Sequence, residues 1–395
     1  MKHEFSELED ELTGPLKWLL EESALMGTKR IERYPNHRFF GIFCSYFPEE
    51  VILAFGLEPL RLLPSSRNAT PAELPAYCCS LARGTLEKEI QGEWSDLVGV
   101  GFAHTCDTMQ CLSGIWADRG RTQTVNLVPP VLLKAAGADR YYQAEIESAW
   151  KQLQRLTRRE PGEEDLRQAM ELCQSYRDQA AELDALRPML PSPLVTALLR
   201  AGQLMPRKEY HSALEAALPV LKQRAQEAGS RARILVTGAV LESDSLFSMI
   251  EDLGGRVVAE DTCTGYRHYS GNYGIDLNGL MGLEELHSSL VERYLKMPPC
   301  PCKNRSLDER PTYLQNLASE RQAEGVILVI RKYCDPHAWD AVALAKGFQS
   351  QGIRTLVLEL EGAELGGPER TRLQAFLESI LENRKIIPAG REKDA

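Results

Sequence analysis

The sequence predicts an α/β fold: two doubly wound parallel-sheet lobes joined by a helical connector, with an N-terminal helical segment. Three observations predict it. Short apolar runs alternate with helical stretches over residues 38–139, which implies βαβ units and parallel strands. The alternation stops over residues 140–230, which are charged, strand-poor and helically periodic. It resumes over residues 231–395. A chain of 395 residues is also too long for one ordinary core.

The elements follow in order. Residues 1–37 form a helical lead-in. FFGIF is a strand, PEEVILAFG a helix and LRLLP a strand. DLVGVGF, CDTMQCLSGIWAD and TQTVNLV repeat the pattern as strand, helix and strand. The connector is broken at PGEE and at LRPMLPSP, where proline and glycine interrupt the helical period. ARILVTGAV restarts the strands. SDSLFSMIEDLGG is a helix stopped by a glycine pair, and RVVAED is the next strand. Helices are expected over 282–296 and 309–323. GVILVI, PHAWDAVALAKGFQSQG, TLVLELE and ERTRLQAFLESILEN complete the second lobe as strand, helix, strand and helix.

Composition narrows the function. The net charge is −10, from 46 basic and 56 acidic residues, which argues against a duplex nucleic-acid partner. No run approaches the ~20 apolar residues of a membrane helix. MKHEFSELEDELTG is acidic and lacks an apolar signal core, so a cytoplasmic location is expected. Ten cysteines in such a compartment point to metal or chemistry rather than to a disulfide framework.

Position singles out particular cysteines. Four apolar runs each hand a cysteine to the following turn: Cys44, Cys106, Cys263 and Cys334. In an open parallel sheet, residues past the carboxyl ends of strands converge on the ligand crevice. Pro48, Glu49 and Glu50 after Cys44 suit a first helical turn, and Asp335 and Pro336 after Cys334 suit a cap and a first turn. A helix N-terminus there would favour a thiolate or an anionic cluster. AYCCSLARG adds Cys78 and Cys79, of which one points away if the other is a ligand; KMPPCPCKN adds Cys300 and Cys302. Zinc would favour C-x2-C pairs, which are absent. Scattered single cysteines suit an iron–sulfur cubane in a cleft, and with three thiolates one iron stays open. Cys111 and Cys173 read as packing residues. GYRHY sets Arg267 and His268 beside Cys263, as an anion or thioester contact or as a solvated loop. No GxxxxGK[ST] loop occurs, so nucleotide hydrolysis is assigned elsewhere.

Six segments in order carry a resemblance: GIFCSYFPEEVILAFGLEPLRLL, HTCDTMQCLSGIW, RILVTGAVLESDSLFSMIEDLGGRVVAEDTCTGYRHY, ERYLKMPPCPCKN, GVILVIRKYCDPH and ERTRLQAFLESIL. Together, over roughly residues 35–385, they resemble the 2-hydroxyacyl-CoA dehydratase and benzoyl-CoA reductase subunits. The resemblance implies α/β lobes around a [4Fe–4S] cluster, paired as a homodimer or as a heterodimer with a related subunit. It implies an ATP-hydrolysing iron–sulfur activator protein that supplies low-potential electrons, and an acyl-CoA or small-molecule substrate. The implied cluster ligands are Cys79, Cys106 and Cys334. One branch of the family carries a double-cubane [8Fe–9S] cluster, for which Cys44, Cys263 and Cys300 are the further candidates, with Cys302 as a substitute. A non-catalytic electron-relay subunit is the remaining alternative. The chain departs from the family pattern at GGPERTR and at Met109, Gln110 and Cys111, and keeps the three likeliest ligands.

Overall fold

The computed structural model describes residues 14–25, 28–64, 71–226, 229–271, 273, 277–279, 282–303, 306 and 308–386. Its strands form two four-stranded sheets. In the first, β1 (Phe39–Ile42), β2 (Glu58–Arg61), β3 (Gly99–Ala103) and β4 (Thr124–Leu127) lie in the order β2-β1-β3-β4. In the second, β5 (Ala232–Gly238), β6 (Gly255–Asp261), β7 (Gly325–Arg331) and β8 (Arg354–Leu360) lie in the order β6-β5-β7-β8. Every pairing is parallel, as the alternation predicts. The central strands β3 and β7 are buried at every position, which suits strands covered on both faces. The edge strand β4 alternates buried with half-buried positions.

The two sheets share one permutation of strand order. Each therefore has its switch point between its first and third strands, β1/β3 in one and β5/β7 in the other. At the second switch point β5 and β7 approach closely at Gly238. A Cβ there would lie 2.2 Å from the Val329 carbonyl oxygen, a backbone atom that can yield only by moving its strand. Gly238→Ala is therefore expected to cost ~1–3 kcal/mol and to lower the melting temperature. A variant that melts with the wild type would show that the strands separate freely here.

The helices of the first lobe are α1 (Gly14–Ala24), α2 (Thr28–Arg33), α3 (Glu49–Ala54), α4 (Ser80–Ile90) and α5 (Asp107–Arg119). The expected N-terminal helical segment is seen in α1 and α2; residues 1–13 lie outside the described residues. Between the sheets run α6 (Ala138–Thr157), α7 (Glu163–Ala185), α8 (Ser192–Ala201) and α9 (Arg207–Arg224). The PGEE break falls before α7, where the Gly162 N–H donates to the Asp165 carboxylate at 2.8 Å. The charged look of α7 hides a buried face that includes Leu166, Met170, Cys173, Tyr176 and Leu183. α1 packs on α8 and α9, and α7 packs on α3 and α9, so this helical layer joins the first lobe's core.

The second lobe carries α10 (Ser245–Asp252), the single turn α11 (Tyr266–Tyr269), α12 (Leu283–Lys296), α13 (Glu309–Glu320), α14 (Asp335–Ser350) and α15 (Gly367–Ile386). Gly254, with φ +89°, ends α10 as the glycine pair predicts. Separate apolar clusters lie on the second sheet's two faces, one against α10 and α15, the other against α13 and α14.

Candidate functional site

The ends of β3 and β7, one from each lobe, open into one cleft. Cys44 follows β1 and Cys106 follows β3, on either side of the first switch point. Cys263 follows β6, and Cys334 follows β7 beside the second switch point. The cleft has a volume of about 900 Å³, and Cys79, Cys106, Cys302 and Cys334 line it together with Tyr333 and Trp339. It therefore brings together sulfurs from two lobes and from residues as distant as 79 and 334. Trp339 on its rim is 78 % exposed.

Three of these cysteines share a local geometry. Cys79 is the N-cap of α4, Cys106 of α5 and Cys334 of α14. Each sulfur thus stands at the positive end of a helix dipole, where negative charge is favoured. The first-turn amides of Met109 and Thr108 lie near Cys106 and that of His337 near Cys334, and each favours the thiolate, although neither sulfur accepts a capping hydrogen bond. Burial nevertheless dominates and pushes both thiols up to about 12. They are protonated at neutral pH, so a metal binding there must displace the protons. The sequence suggests Asp335 as the cap of α14; Cys334 takes that place and Asp335 falls in the first turn.

Behind this group lies a second one. Cys44, half-buried, stands within electrostatic reach of Cys263 and Cys300. Cys300 and Lys303 exchange backbone hydrogen bonds of 3.0 and 3.2 Å, which closes a tight turn over Pro301 and Cys302. Within that turn Cys302 donates to the Cys300 sulfur, lowering the Cys300 thiol against its burial and raising that of Cys302. Cys302 also lies in electrostatic reach of Cys106 and Cys334, so it connects the two groups.

Arg267 and His268 are neither solvated nor among the residues lining the cleft. Arg267 is buried, with Nε 2.7 Å from Asp261 Oδ1, Nη2 2.6 Å from Asp261 Oδ2 and Nη1 3.4 Å from the Cys263 sulfur. Asp261 also accepts from Arg310 at 3.0 Å. Burial would raise its carboxyl, but the two guanidiniums hold it below the usual range. His268 lies with Nδ1 2.8 Å from Ser45 Oγ and Nε2 3.4 Å from Glu49. Burial pushes it down to about 4, so it is neutral. The reading of this pair as a solvated loop fails because both side chains are spent on buried partners. Of the two cysteines read as packing, Cys173 is fully buried and accepts from the Tyr176 hydroxyl at 3.4 Å, whereas Cys111 is exposed.

Several residues of the site are not singled out by the sequence. Arg331, the last residue of β7, donates to Ser80, which follows Cys79, and to Glu242, and so ties the two lobes beside the cleft. His337 stands with Nδ1 3.3 Å from the Cys334 sulfur. Lys303 is buried within reach of Cys44, Cys106, Cys300 and Cys302, with Nζ 2.9 Å from the Pro129 carbonyl. The segments CPCK and RKYCDPH carry the only signal for these residues, their adjacency to cysteine.

The model of the family described as 2-hydroxyglutaryl-CoA dehydratase, D-component, matches residues 44–380. The chain belongs to this family. The match takes in every cysteine from Cys44 to Cys334, together with both sheets after β1. Among the relatives of the chain, the (R)-phenyllactyl-CoA dehydratase beta subunit of Clostridium sporogenes is 22% identical over 386 residues, 95% of this chain and 98% of that one. The beta subunit of lactoyl-CoA dehydratase from Anaerotignum propionicum is 23% identical over 384 residues, 95% and 98% of the two chains. A benzoyl-CoA reductase subunit of Thauera aromatica is 24% identical over 368 residues, 88% and 92% of the two chains. The chain is thus an enzyme subunit of the 2-hydroxyacyl-CoA dehydratase and benzoyl-CoA reductase type. Among its described residues, no helix is long and apolar enough to cross a membrane.

Proposed function

We propose that the chain holds a [4Fe–4S] cluster on Cys79, Cys106 and Cys334. It works in the cytoplasm beside a related subunit. A separate ATP-hydrolysing iron–sulfur activator supplies low-potential electrons, which are used to dehydrate or reduce an acyl-CoA. The observation that carries this reading is the three cysteine N-caps, drawn from two lobes and lining one cleft.

The donor set fits such a group. Among the described residues no three His, Cys, Asp or Glu side chains are grouped to hold a metal ion. A lone zinc would need its sulfurs ~2.3 Å from one centre, whereas a cluster offers each thiolate a separate iron. The buried cations Lys303, near Cys106, and Arg331, near Cys79 and Cys334, would offset the charge of these sulfurs once deprotonated, and Arg267 does the same for Cys263 and Cys300. When bound, the cluster supplies one-electron redox chemistry and, with three protein thiolates, an iron open to a further ligand. The chain's own residues hold the three sulfurs at helix N-termini, where the first-turn amides favour negative charge, and leave them facing the cleft.

A second reading, a double-cubane [8Fe–9S] cluster reducing small molecules, is favoured by one specific observation. Cys44, Cys263 and Cys300 form a neighbouring group linked to the first through Cys302. Iron and sulfide analysis after anaerobic purification tests both readings. A brown protein with about four irons per chain supports the first, and about eight supports the second. A colourless anaerobic protein with stoichiometric zinc and no sulfide would sink both.

A further inference from the structure

We infer that His337 tunes the reduction potential of the metal centre by donating its Nδ1–H to the sulfur of Cys334. The inference rests on the proposed cluster reading and adds a role for a residue outside the ligand set. His337 lies in the first turn of α14, whose N-cap is Cys334. Its ring turns back so that Nδ1 is 3.3 Å from the Cys334 sulfur, within the range of an N–H···S contact. The ring is buried, and its Nε2 makes no hydrogen bond of good geometry. The Gly238 carbonyl faces the ring and also accepts from Arg267 Nη2 at 3.3 Å.

The position of the proton follows from these contacts. A neutral imidazole carries one proton, on either nitrogen. A metal-bound thiolate can only accept. Placing the proton on Nε2 would aim it at the Gly238 carbonyl without hydrogen-bond geometry, and would turn the Nδ1 lone pair toward an electron-rich sulfur. Placing it on Nδ1 makes a bond and leaves only an acceptor unsatisfied. The bound state therefore selects the Nδ1–H tautomer. Hydrogen bonds to cluster sulfurs set the potential, because they stabilise the more negative, reduced state. His337 is a positioning and tuning residue in this account, since it reaches the irons only through Cys334.

The experiment is a redox titration of the anaerobically reconstituted full chain, followed by electron paramagnetic resonance. His337→Leu keeps the ring's approximate volume and removes the donor. His337→Asn restores an N–H near the Nδ1 position. The expected result is full iron in both variants. The reduction equilibrium of His337→Leu should shift about tenfold toward the oxidised state, ~59 mV for one electron, and His337→Asn should return close to wild type. A His337→Leu protein with wild-type iron and an unmoved potential would overturn the inference and leave the cluster reading standing. Equal shifts in both variants would overturn it too, because packing rather than the N–H would then be responsible. Should His337→Leu lose its iron, His337→Asn decides: retained iron at the wild-type potential supports the inference, while a changed potential or lost iron overturns it. A wild-type chain without iron and sulfide would remove the proposed function along with it.

Discussion

Replacing Cys106 or Cys334 by serine is expected to strip most of the iron from anaerobically prepared protein. Each change removes one of the three N-cap sulfurs that line the cleft. A serine hydroxyl is a poor replacement, because it is a hard oxygen donor that does not ionise near neutral pH. Cys173→Ser is the control. Its sulfur lies fully buried against Tyr176 in α7, away from the cleft, so iron should be unchanged. Cys44→Ser, Cys263→Ser and Cys300→Ser discriminate between cluster types: a fall from about eight irons to about four marks a second cubane. Iron retained at wild-type level in both Cys106→Ser and Cys334→Ser would contradict the ligand assignment.

The second large effect belongs to stability. Glu50→Ala is expected to destabilise the protein by roughly 3–5 kcal/mol, as breaking one half of a buried ion pair does. Glu50 is fully buried in the first turn of α3, 2.6 Å from Arg177, and accepts from the Tyr273 hydroxyl at 2.6 Å and the Tyr294 hydroxyl at 2.8 Å. Removing the carboxylate takes away the counter-charge of a buried guanidinium, which keeps the Tyr273 hydroxyl at 3.1 Å, and the acceptor of two buried hydroxyls at once. The same geometry dictates a pH dependence. Burial alone would raise the carboxyl, but Arg177 and its other partners outweigh burial and hold it at about 2. The folded value lies below the unfolded one, about 4.3. The stabilisation is therefore complete above that value and is lost as pH falls from about 4.3 toward 2. Thermal melts across this window should show the wild type losing stability more steeply than Glu50→Gln. Parallel curves for the two proteins would mean that Glu50 does not titrate with folding.

These cases separate what is legible in the sequence from what is not. The strands that end in cysteines are legible because each is a short apolar run closed by turn residues, a local signal that parallel burial produces. The connector is legible from its period. Helix α4 is not, although it carries Cys79 at its cap. Arg83, Lys88 and Glu89 are buried in it, so its polar residues do not mark a solvent face, and Gly84 weakens its helical appearance. Cys111 defeats the packing reading for an angular reason. It is five residues past Cys106, about 140° round the helix, whereas α5 buries Met109, Leu112, Ser113 and Trp116. Glu49 and Glu50 look like an ordinary acidic first turn. Their partners Arg207 and Arg177 come from α9 and α7, far along the chain, so nothing nearby could announce that both carboxylates are buried. Arg267 differs: its partner Asp261 is only six residues away, and what is hidden is that Arg310, from α13, shares the same buried carboxylate.

The spread of the cleft along the chain has a consequence for biosynthesis. A ribosome making this protein releases Cys79 and Cys106 early, but Cys334 caps a helix that follows β7, and β7 is paired on one side with β8, which ends at Leu360. The pocket therefore cannot close on a nascent chain until the residues through Leu360 have left the exit tunnel. For the proposed ligand set, metal loading must follow the folding of both lobes, and an unfilled apoprotein precedes it. Its buried thiols are protonated at that stage, which keeps them weak nucleophiles while they wait.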